Sequence, residues 1–436
     1  MNPPSPPVSR PVRDPRRRRG LSRGEWLLLL VSTVVSLGLL ELALRLFVPL
    51  YPTVFQPDDV TLVKLIPGAR MVFKRLAVNG GQRIVARINS DGFRGEELKP
   101  PDHLERVIVY GDSNVQAMFS ELAATFPKQL ESRLNASHRA DVEVLNAGVN
   151  GDGPDQISLR LLRDLEKFKP ALVIVVVFAD NDYGDLIRNR IYRLNARGDL
   201  ELNHYRLAPE IRADMEAAAH SHGLHRVQLA KYAHWLLLRL WQPAYSPASL
   251  SPYAYVNRSL LQDQEGFRAY TAPRPGVDYT ENPFGDYYDA DIALQPDSAA
   301  ARYKIALMEK VLVRLRETTV RAGTQLVLVI LPSALDACDH YDFLVDTARF
   351  PQYDRSRLSG LIEAMATRND IAFLNLWQPF RAVDANRYYF HGGDDHWNDA
   401  GQAKAAQLLA DLIEQRKLLG PSTENAVSRS QDHGRD

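Results

Sequence analysis

The stretch Arg106–Asn114 joins a run of four apolar or aromatic residues directly to a Gly-Asp-Ser turn. Such a run, here Val107–Tyr110, is typical of a buried parallel strand. The turn puts Ser113 at the carboxyl edge of the predicted sheet, where open α/β folds bind their ligands. Gly-Asp-Ser is also an ordinary turn with a helix cap, so this stretch alone leaves a functional and a purely structural interpretation open.

From residue 104 onward, strand-like runs alternate with helical patterns, which indicates βαβ units. Five apolar runs predict the strands: Val107–Tyr110, Val142–Leu145, Ala171–Ala179, Leu326–Leu331 and Ile371–Leu374. Apolar periodicity predicts helices that include Gln156–Phe168, Ala299–Arg321, Arg355–Arg368 and Asp399–Ile413. The expected fold class is α/β, a flavodoxin-like three-layer α/β/α sandwich with a five-stranded parallel sheet, formed by residues 104–190 and 299–418.

Polar, turn-forming residues follow each of the first three strands. They include Ser113 after the first strand, Gly151 after the second and Asn181 after the third. Because the carboxyl ends of parallel strands meet at one edge of a sheet, we expect these three residues to lie near one another.

A polar loop between the fifth strand and the last helix contains Asp394, Asp395 and His396. A histidine that follows a carboxylate can be oriented through one ring nitrogen while the other nitrogen takes a proton. Helix caps would explain each aspartate separately, but not why the loop should emerge at the edge that already carries Ser113. The pattern therefore favours a site for acid–base chemistry.

An apolar segment near the N-terminus is long enough to cross a membrane. Trp26–Leu40 has no charge, and the apolar character continues to residue 48 with only Glu41 and Arg45 interrupting it. About 20 apolar residues span a bilayer, so residues 25–48 are predicted to form a single transmembrane anchor in the lipid bilayer. No small-x-small cleavage pattern follows, which favours an uncleaved anchor over a removed signal peptide.

Seven arginines lie within residues 1–24, directly before this anchor. Basic residues there hold the N-terminus in the cytoplasm, so the rest of the chain is predicted to be periplasmic, on the outer side of the inner membrane. The whole chain is balanced, with 53 Lys and Arg residues and 53 Asp and Glu residues, and gives no reason to expect nucleic acid as a partner. A nucleic-acid arm is the alternative for the arginines, but their position favours the topogenic role.

Three further segments lie outside the predicted sheet. Residues 49–103 combine turn residues with short alternating runs, which predicts a lead-in of small strands and loops docked on the core. Residues 191–298 interrupt the strand–helix alternation and are predicted to be an insertion with a hairpin, helices and loops, of a size that commonly forms a lid. Residues 419–436 are polar without periodicity and are predicted to be a disordered tail.

Four short blocks, in order, resemble those of the SGNH (GDSL-like) hydrolase superfamily. They are Gly111-Asp112-Ser113, Asn146-x-Gly148-x-x-Gly151, Asn181-Asp182 and Asp394-x-His396-Trp397-Asn398-x-x-Gly401. The resemblance covers only the predicted core. It implies that Ser113 is the nucleophile, that His396 is the base, and that the oxyanion hole is formed by Ser113, Gly151 and Asn181.

Two positions depart from the family pattern. The usual Asp-x-x-His would need an aspartate at position 393, which is glycine. The spacing Asp394-x-His396 instead resembles membrane-linked, exopolysaccharide-modifying branches, so Asp394 is the expected orienting acid, with Asp395 as the alternative. Ala179 stands where the third block normally has glycine, and alanine disfavours positive φ.

The resemblance implies a membrane-anchored serine ester hydrolase that works through an acyl-serine and acts on an O-acylated, most simply O-acetylated, carbohydrate. An O-acyltransferase on an envelope or secreted polysaccharide is one alternative, and a non-catalytic polysaccharide-binding component is another; intact Ser113 and His396 argue against the latter. We expect no cofactor and no metal, because the histidines form no ligand pattern and Cys338 is the single cysteine. With an ordinary histidine pKa of about 6.5, activity would decline below that pH.

Overall fold

The computed structural model describes residues 22–47, 54–100, 105–137, 141–203, 206–207, 209–220, 227–230, 233, 289, 292–293, 296–341, 347–348, 351–392 and 394–419. The chain divides into two compact units. One comprises Met1–Leu50 and Gly223–Trp241, and the other comprises Tyr51–His222 and Gln242–Asp436. The predicted tail and most of the predicted insertion lie outside the described residues, apart from the pieces named below.

The first unit is built on one long apolar helix, α1 (Arg23–Phe47). Within it, Arg23–Leu44 has a mean hydropathy of 2.4 and is long enough to cross a membrane. Its side chains are exposed through residue 40, and the Glu41 carboxylate accepts hydrogen bonds from the backbone N–H groups of Gln228 and Leu229, both at 2.9 Å. An exposed apolar helix of this length is what a membrane anchor or a signal anchor requires.

The second unit begins with two antiparallel hairpins. β1 (Phe55–Asp58) pairs with β2 (Leu62–Leu65), and β3 (Arg70–Lys74) pairs with β4 (Arg83–Arg87). A small apolar cluster on these hairpins packs against Met118 and Val149, which belong to the core. The lead-in residues are therefore attached to the core by buried apolar contacts.

The elements of the core and of the insertion follow in chain order. They are β5 (Glu105–Tyr110), α2 (Ser113–Gln116), α3 (Phe126–Ala136), β6 (Val142–Asn146), α4 (Pro154–Phe168), β7 (Leu172–Ala179), α5 (Asp182–Asn189), β8 (Tyr192–Leu194), β9 (Leu200–Leu202), α6 (Pro209–His220), α7 (Ala299–Arg321), β10 (Gln325–Pro332), α8 (Ala334–Ala337), α9 (Arg357–Arg368), β11 (Ala372–Asn375), α10 (Trp377–Arg381) and α11 (Asp399–Arg416). The predicted hairpin in the insertion is present as β8 and β9, which pair antiparallel.

Five strands form one parallel sheet in the order β6-β5-β7-β10-β11. In sequence order this is 2-1-3-4-5, the flavodoxin-like arrangement, and each strand lies within two residues of its predicted bounds. The predicted fold class is therefore confirmed. The chain leaves β5 toward one side of the sheet and β7 toward the other, which opens a crevice at their carboxyl ends, where such folds bind ligands.

Helices cover both faces of this sheet. The side chains of β7 alternate between the two faces, as the two-residue period of a strand requires. Val173, Val175 and Val177 pack with residues of α4, α5, α7 and α9, whereas Leu172, Ile174 and Val176 pack with residues of α3 and α11. Burial on both faces explains why the sequence of β7 is an unbroken apolar run.

Candidate active site

The turn after β5, residues 111–117, which we call the serine turn, is held by its own short-range contacts. The buried Asp112 caps α2, and its Oδ1 accepts a hydrogen bond from the N–H of Asn114 at 2.8 Å. Ser113 is the first residue of that helix. Capping of this kind fixes the backbone on either side of the serine hydroxyl.

The segment after β6 packs directly on the serine turn. The Asn146 side chain donates a hydrogen bond to the carbonyl of Val115 at 2.8 Å. A Cβ at Gly148 would lie 2.2 Å from the backbone nitrogen of Gln116, so only glycine fits this contact. The glycine of the second sequence block therefore lets two backbone segments approach each other closely.

His396 joins the serine turn to the loop before α11. Its Nε2 lies 2.7 Å from the Ser113 Oγ, and its Nδ1 lies 2.7 Å from the Asp394 Oδ1. The same Asp394 oxygen accepts a hydrogen bond from the backbone N–H of His396 at 3.1 Å. The nearest oxygen of Asp395 is farther from Nδ1, at 3.5 Å. The structure thus brings together Ser113, His396 and Asp394 in one chain of hydrogen bonds, with Asp395 beside it.

Gly151 and Asn181 follow the two strands that flank β5 in the sheet. Gly151 has φ of +78°, a conformation that favours glycine, and a Cβ there would meet no atom closer than 3.6 Å. Asn181 precedes α5 without a side-chain capping bond, and its buried Oδ1 has no hydrogen-bond partner among the described residues. That amide is therefore not committed to holding the helix.

Arg188 connects these two segments and was not predicted from the sequence. Its Nη2 donates a hydrogen bond to the carbonyl of Gly151, and its Nη1 lies 2.9 Å from the Asp185 Oδ1. Arg188 stands seven residues after Asn181, so the two share a helix face, and that spacing is the signal that could have identified it. The arginine thus links the Gly151 turn to α5.

The electrostatic surroundings favour the charged form of His396. Burial alone would lower its pKa, but the hydrogen bond that the ring donates to Asp394 and the negative charges of Asp395, Asp394 and Asp112 outweigh burial and raise the pKa to about 9. Burial in turn raises the pKa of Asp112 and of Asp395, and the nearby His396 limits both shifts. The positive charge of the imidazolium thus compensates the negative charges of the carboxylates around it.

Within the described part of the chain, one group of potential metal ligands lies close together: Asp394, Asp395 and His396, with ligand atoms within 4.8 Å of one another. Both ring nitrogens of His396 already lie at hydrogen-bond distance from Asp394 and Ser113. A metal on this histidine would have to displace one of those partners. The donor set therefore suits proton transfer better than metal binding.

Trp397 and Tyr341 hold the histidine-bearing segment from two sides. The buried Trp397 donates from its indole Nε1 to the carbonyl of Asn114 at 2.8 Å, which ties the segment to the serine turn. The Tyr341 hydroxyl contacts the carbonyls of Phe390 and Asp394. Trp397 stands inside the fourth sequence block without an inferred role, whereas nothing in the sequence around Tyr341 indicates its contact.

Comparison with known proteins gives one family match. Residues 287–434, about a third of the chain, match the family model described as an SGNH hydrolase-like domain, acetyltransferase AlgX. The search of curated proteins gives no match.

Solved structures show distant similarity. TesA is 14% identical over 72% of this chain and 100% of its own, with a TM-score of 0.35. The acetyl xylan esterase AlAXEase is 13% identical over 71% of this chain and 99% of its own, with a TM-score of 0.34. A GDSL-like lipase from Bacteroides thetaiotaomicron is 12% identical over 73% and 93%, with a TM-score of 0.32. Likenesses this distant indicate no function for the chain.

Proposed function

We propose that the chain is an SGNH-type serine ester hydrolase that works through an acyl-serine at Ser113, a proposal supported by the match of residues 287–434 to an SGNH hydrolase-like family model. The observation that carries the proposal is the pair of 2.7 Å contacts that link Ser113, His396 and Asp394. A nucleophile, a base and an orienting acid in this arrangement recur in acyl-transfer enzymes on unrelated folds.

In the first half of the reaction, the Ser113 Oγ attacks the ester carbonyl carbon while its proton passes to the His396 Nε2. The tetrahedral intermediate collapses when His396 gives that proton to the alcohol oxygen and the carbon–oxygen bond breaks. The alcohol leaves, and the acyl group stays on Ser113. Asp394 holds the imidazole in place and stabilises its charged form.

In the second half, water replaces the alcohol. His396 takes one proton from the water, whose oxygen attacks the acyl-serine carbonyl, and returns that proton to the Ser113 Oγ as the acid departs. In both halves the intermediate carries an oxyanion. The backbone N–H groups of Ser113 and Gly151 and the side-chain amide of Asn181 are the proposed donors to it, since all three follow strands that end at the same crevice.

The nucleophile is tested with a fluorophosphonate probe on the full-length chain in detergent. We expect one label, on the peptide that contains Ser113, and no label in Ser113→Ala. Ser90→Ala is the matched control, because Ser90 is an exposed serine whose hydroxyl contacts Glu97, and it should label normally. Labelling that persists in Ser113→Ala would refute the proposal.

The proposed substrate is an O-acetylated carbohydrate, and a second candidate function is O-acetyl transfer to a sugar hydroxyl. The family model that matches residues 287–434 carries the description acetyltransferase, which favours this second candidate. The two functions differ only in whether water or a sugar hydroxyl attacks the acyl-serine. Mass spectrometry of p-nitrophenyl acetate reactions with and without oligosaccharides separates them: free acetate alone supports the hydrolase, and acetylated sugar supports the transferase.

The proposed location is the outer side of the cytoplasmic membrane, with α1 as an uncleaved anchor. The exposed apolar surface of Arg23–Leu44 supports this proposal. An alkaline wash of membranes should leave the intact chain in the pellet. Release of the intact chain into the soluble fraction would contradict the anchor.

A further inference from the structure

The segment that connects β3 and β4, residues 75–82, which we call the hairpin tip, contacts the loop that carries His396. We call residues 390–398 the histidine loop; Gly393 lies outside the described residues. One side-chain amide makes two hydrogen bonds between the two segments. The Asn79 Oδ1 accepts from the backbone N–H of His391 at 2.9 Å, and the Asn79 Nδ2 donates to the carbonyl of His391 at 2.8 Å. Paired contacts of this kind fix a residue's backbone much as a neighbouring strand does.

A second contact lies at the other end of the loop. The Arg75 Nη2 is 2.7 and 2.8 Å from the two carboxylate oxygens of Asp399, the first residue of α11. The Arg75 Nε donates to the carbonyl of Phe119, and its guanidinium lies 5.1 Å from the ring centre of Phe390. The Arg75 side chain is only 9% exposed, whereas the Asp399 side chain is 41% exposed, so the guanidinium is shielded from water and the carboxylate only in part.

The backbone of the loop also packs on the tip without space between them. Gly392 has φ of +87°, and a Cβ there would lie 2.9 Å from the Leu76 Cδ1 and 3.3 Å from the Val78 Cγ1. Both tip side chains are otherwise exposed, at 51% and 64%. The tip thus reaches the histidine loop at its start, through Asn79 and the packing at Gly392, and at its end, through Arg75.

We propose that Asn79 and Arg75 are positioning residues, which hold the histidine loop so that His396 stays within reach of Ser113. The inference rests on the proposed function, because it assigns a role in that same site. His396 lies between the two anchored residues, His391 and Asp399. A displacement of about 1 Å of a catalytic group can cost about 100-fold in rate, so the loss of an anchor affects turnover even where the fold survives.

The test is Asn79→Ala in the full-length chain, with Asn195→Ala as the matched control. Asn195 is also an asparagine in a hairpin connection, and among the described residues its side chain makes hydrogen bonds only within its own hairpin, at Arg197, Asp199 and Glu201. We expect Asn79→Ala to lower kcat for p-nitrophenyl acetate about 10- to 100-fold, with KM changed less than twofold. Asn195→Ala should leave both constants unchanged.

Arg75→Ala is the second variant, with Arg106→Ala as its control. Arg106 likewise bonds one carboxylate and one carbonyl, those of Glu143 and Lys99, but it does so at the amino end of β5. A fall in kcat in Arg75→Ala but not in Arg106→Ala would support the proposal. Equal falls in both would overturn it, because the loss would then reflect general destabilisation.

Hydrogen exchange separates this proposal from the proposed function. The amide of His391 loses its acceptor in Asn79→Ala, so we expect peptides covering residues 390–399 to exchange about tenfold faster than in the unmodified chain. Unchanged exchange would overturn the positioning role whatever the activity. Faster exchange in a chain that Ser113-directed probes never label would refute the proposed function and leave the anchoring of the loop standing.

Discussion

The serine turn and the histidine loop carry the two halves of the site, and they are held in different ways. The serine turn lies directly after a central strand and is fixed by its own cap at Asp112 and by the neighbouring strand end at Gly148. The histidine loop does not follow a strand directly, and it depends on Trp397, Tyr341 and the hairpin tip. One half of the site is therefore encoded locally, and the other requires contacts from segments hundreds of residues away.

The largest expected loss of activity comes from a change in the histidine loop alone. Asp394→Asn should lower kcat about 10⁴-fold, because the amide no longer orients or stabilises the imidazolium. Asp395→Asn should cost less than tenfold, since Asp395 lies 3.5 Å from the Nδ1, compared with 2.7 Å for Asp394. The measurement is steady-state hydrolysis of p-nitrophenyl acetate. The reverse order would move the orienting role to Asp395.

The next largest effect concerns the residues that follow the central strands, among them Asn181. Asn181→Ala should lower kcat about 100- to 1000-fold through loss of one donor to the oxyanion, with little change in thermal stability, because this side chain does not cap α5. Asn203→Ala is a suitable control, since the hydrogen bond seen for the side chain of that asparagine, within the described part of the chain, goes to the carbonyl of Arg190. A loss of activity that tracks a loss of thermal stability would argue against a donor role.

The smallest expected effect is the change in rate per pH unit, which reports how the carboxylates on both halves of the site act on His396. His396 must be neutral to accept the proton of Ser113, and the carboxylates of Asp394, Asp395 and Asp112 raise its pKa to about 9. The rate should therefore rise about tenfold per pH unit up to about pH 9 and then level off. This differs from the sequence-based expectation of a decline below about pH 6.5, which assumed an unperturbed imidazole.

The pH profile is measured as kcat/KM between pH 6 and 10, with the rate of uncatalysed ester hydrolysis subtracted. Asp395→Asn removes one of the charges that raise the pKa of His396, so its midpoint should shift to lower pH than in the unmodified chain. A midpoint near pH 6.5 in the unmodified chain would show that the carboxylates do not act on the imidazole as the structure indicates.

This contrast also explains what could be predicted from the sequence. The central strands were predictable because burial on both faces demands unbroken apolar runs, and β7 is such a run. Ser113, Gly151 and Asn181 could be predicted to follow strands that end at one edge of the sheet, because the strands are parallel. His396 could be assigned only through the resemblance of its block, since periodicity carries no information about which loop reaches that edge.

The residues that sequence reasoning missed make contacts over long sequence separations. Asn79 contacts a residue 312 positions later, and Arg75 contacts one 324 positions later. Neither stands in a motif, and an arginine or asparagine in a turn-rich segment is normally a solvated side chain. The sequence-based expectation started from an unperturbed histidine pKa for the same reason, because the three carboxylates come close to the imidazole only in the folded chain.

The attachment of the two N-terminal hairpins has a practical consequence for any attempt to obtain a minimal enzyme. A chain cut to begin at β5 would keep the whole parallel sheet, but Met118 and Val149 would lose their apolar cover and His391 would lose its amide partner. Under the proposed function, such a fragment would keep its nucleophile and lose a contact that holds the loop of its base. If such a fragment were folded but inactive, the truncation itself would explain the loss of activity. The lead-in residues therefore belong in every version of the protein used for assays.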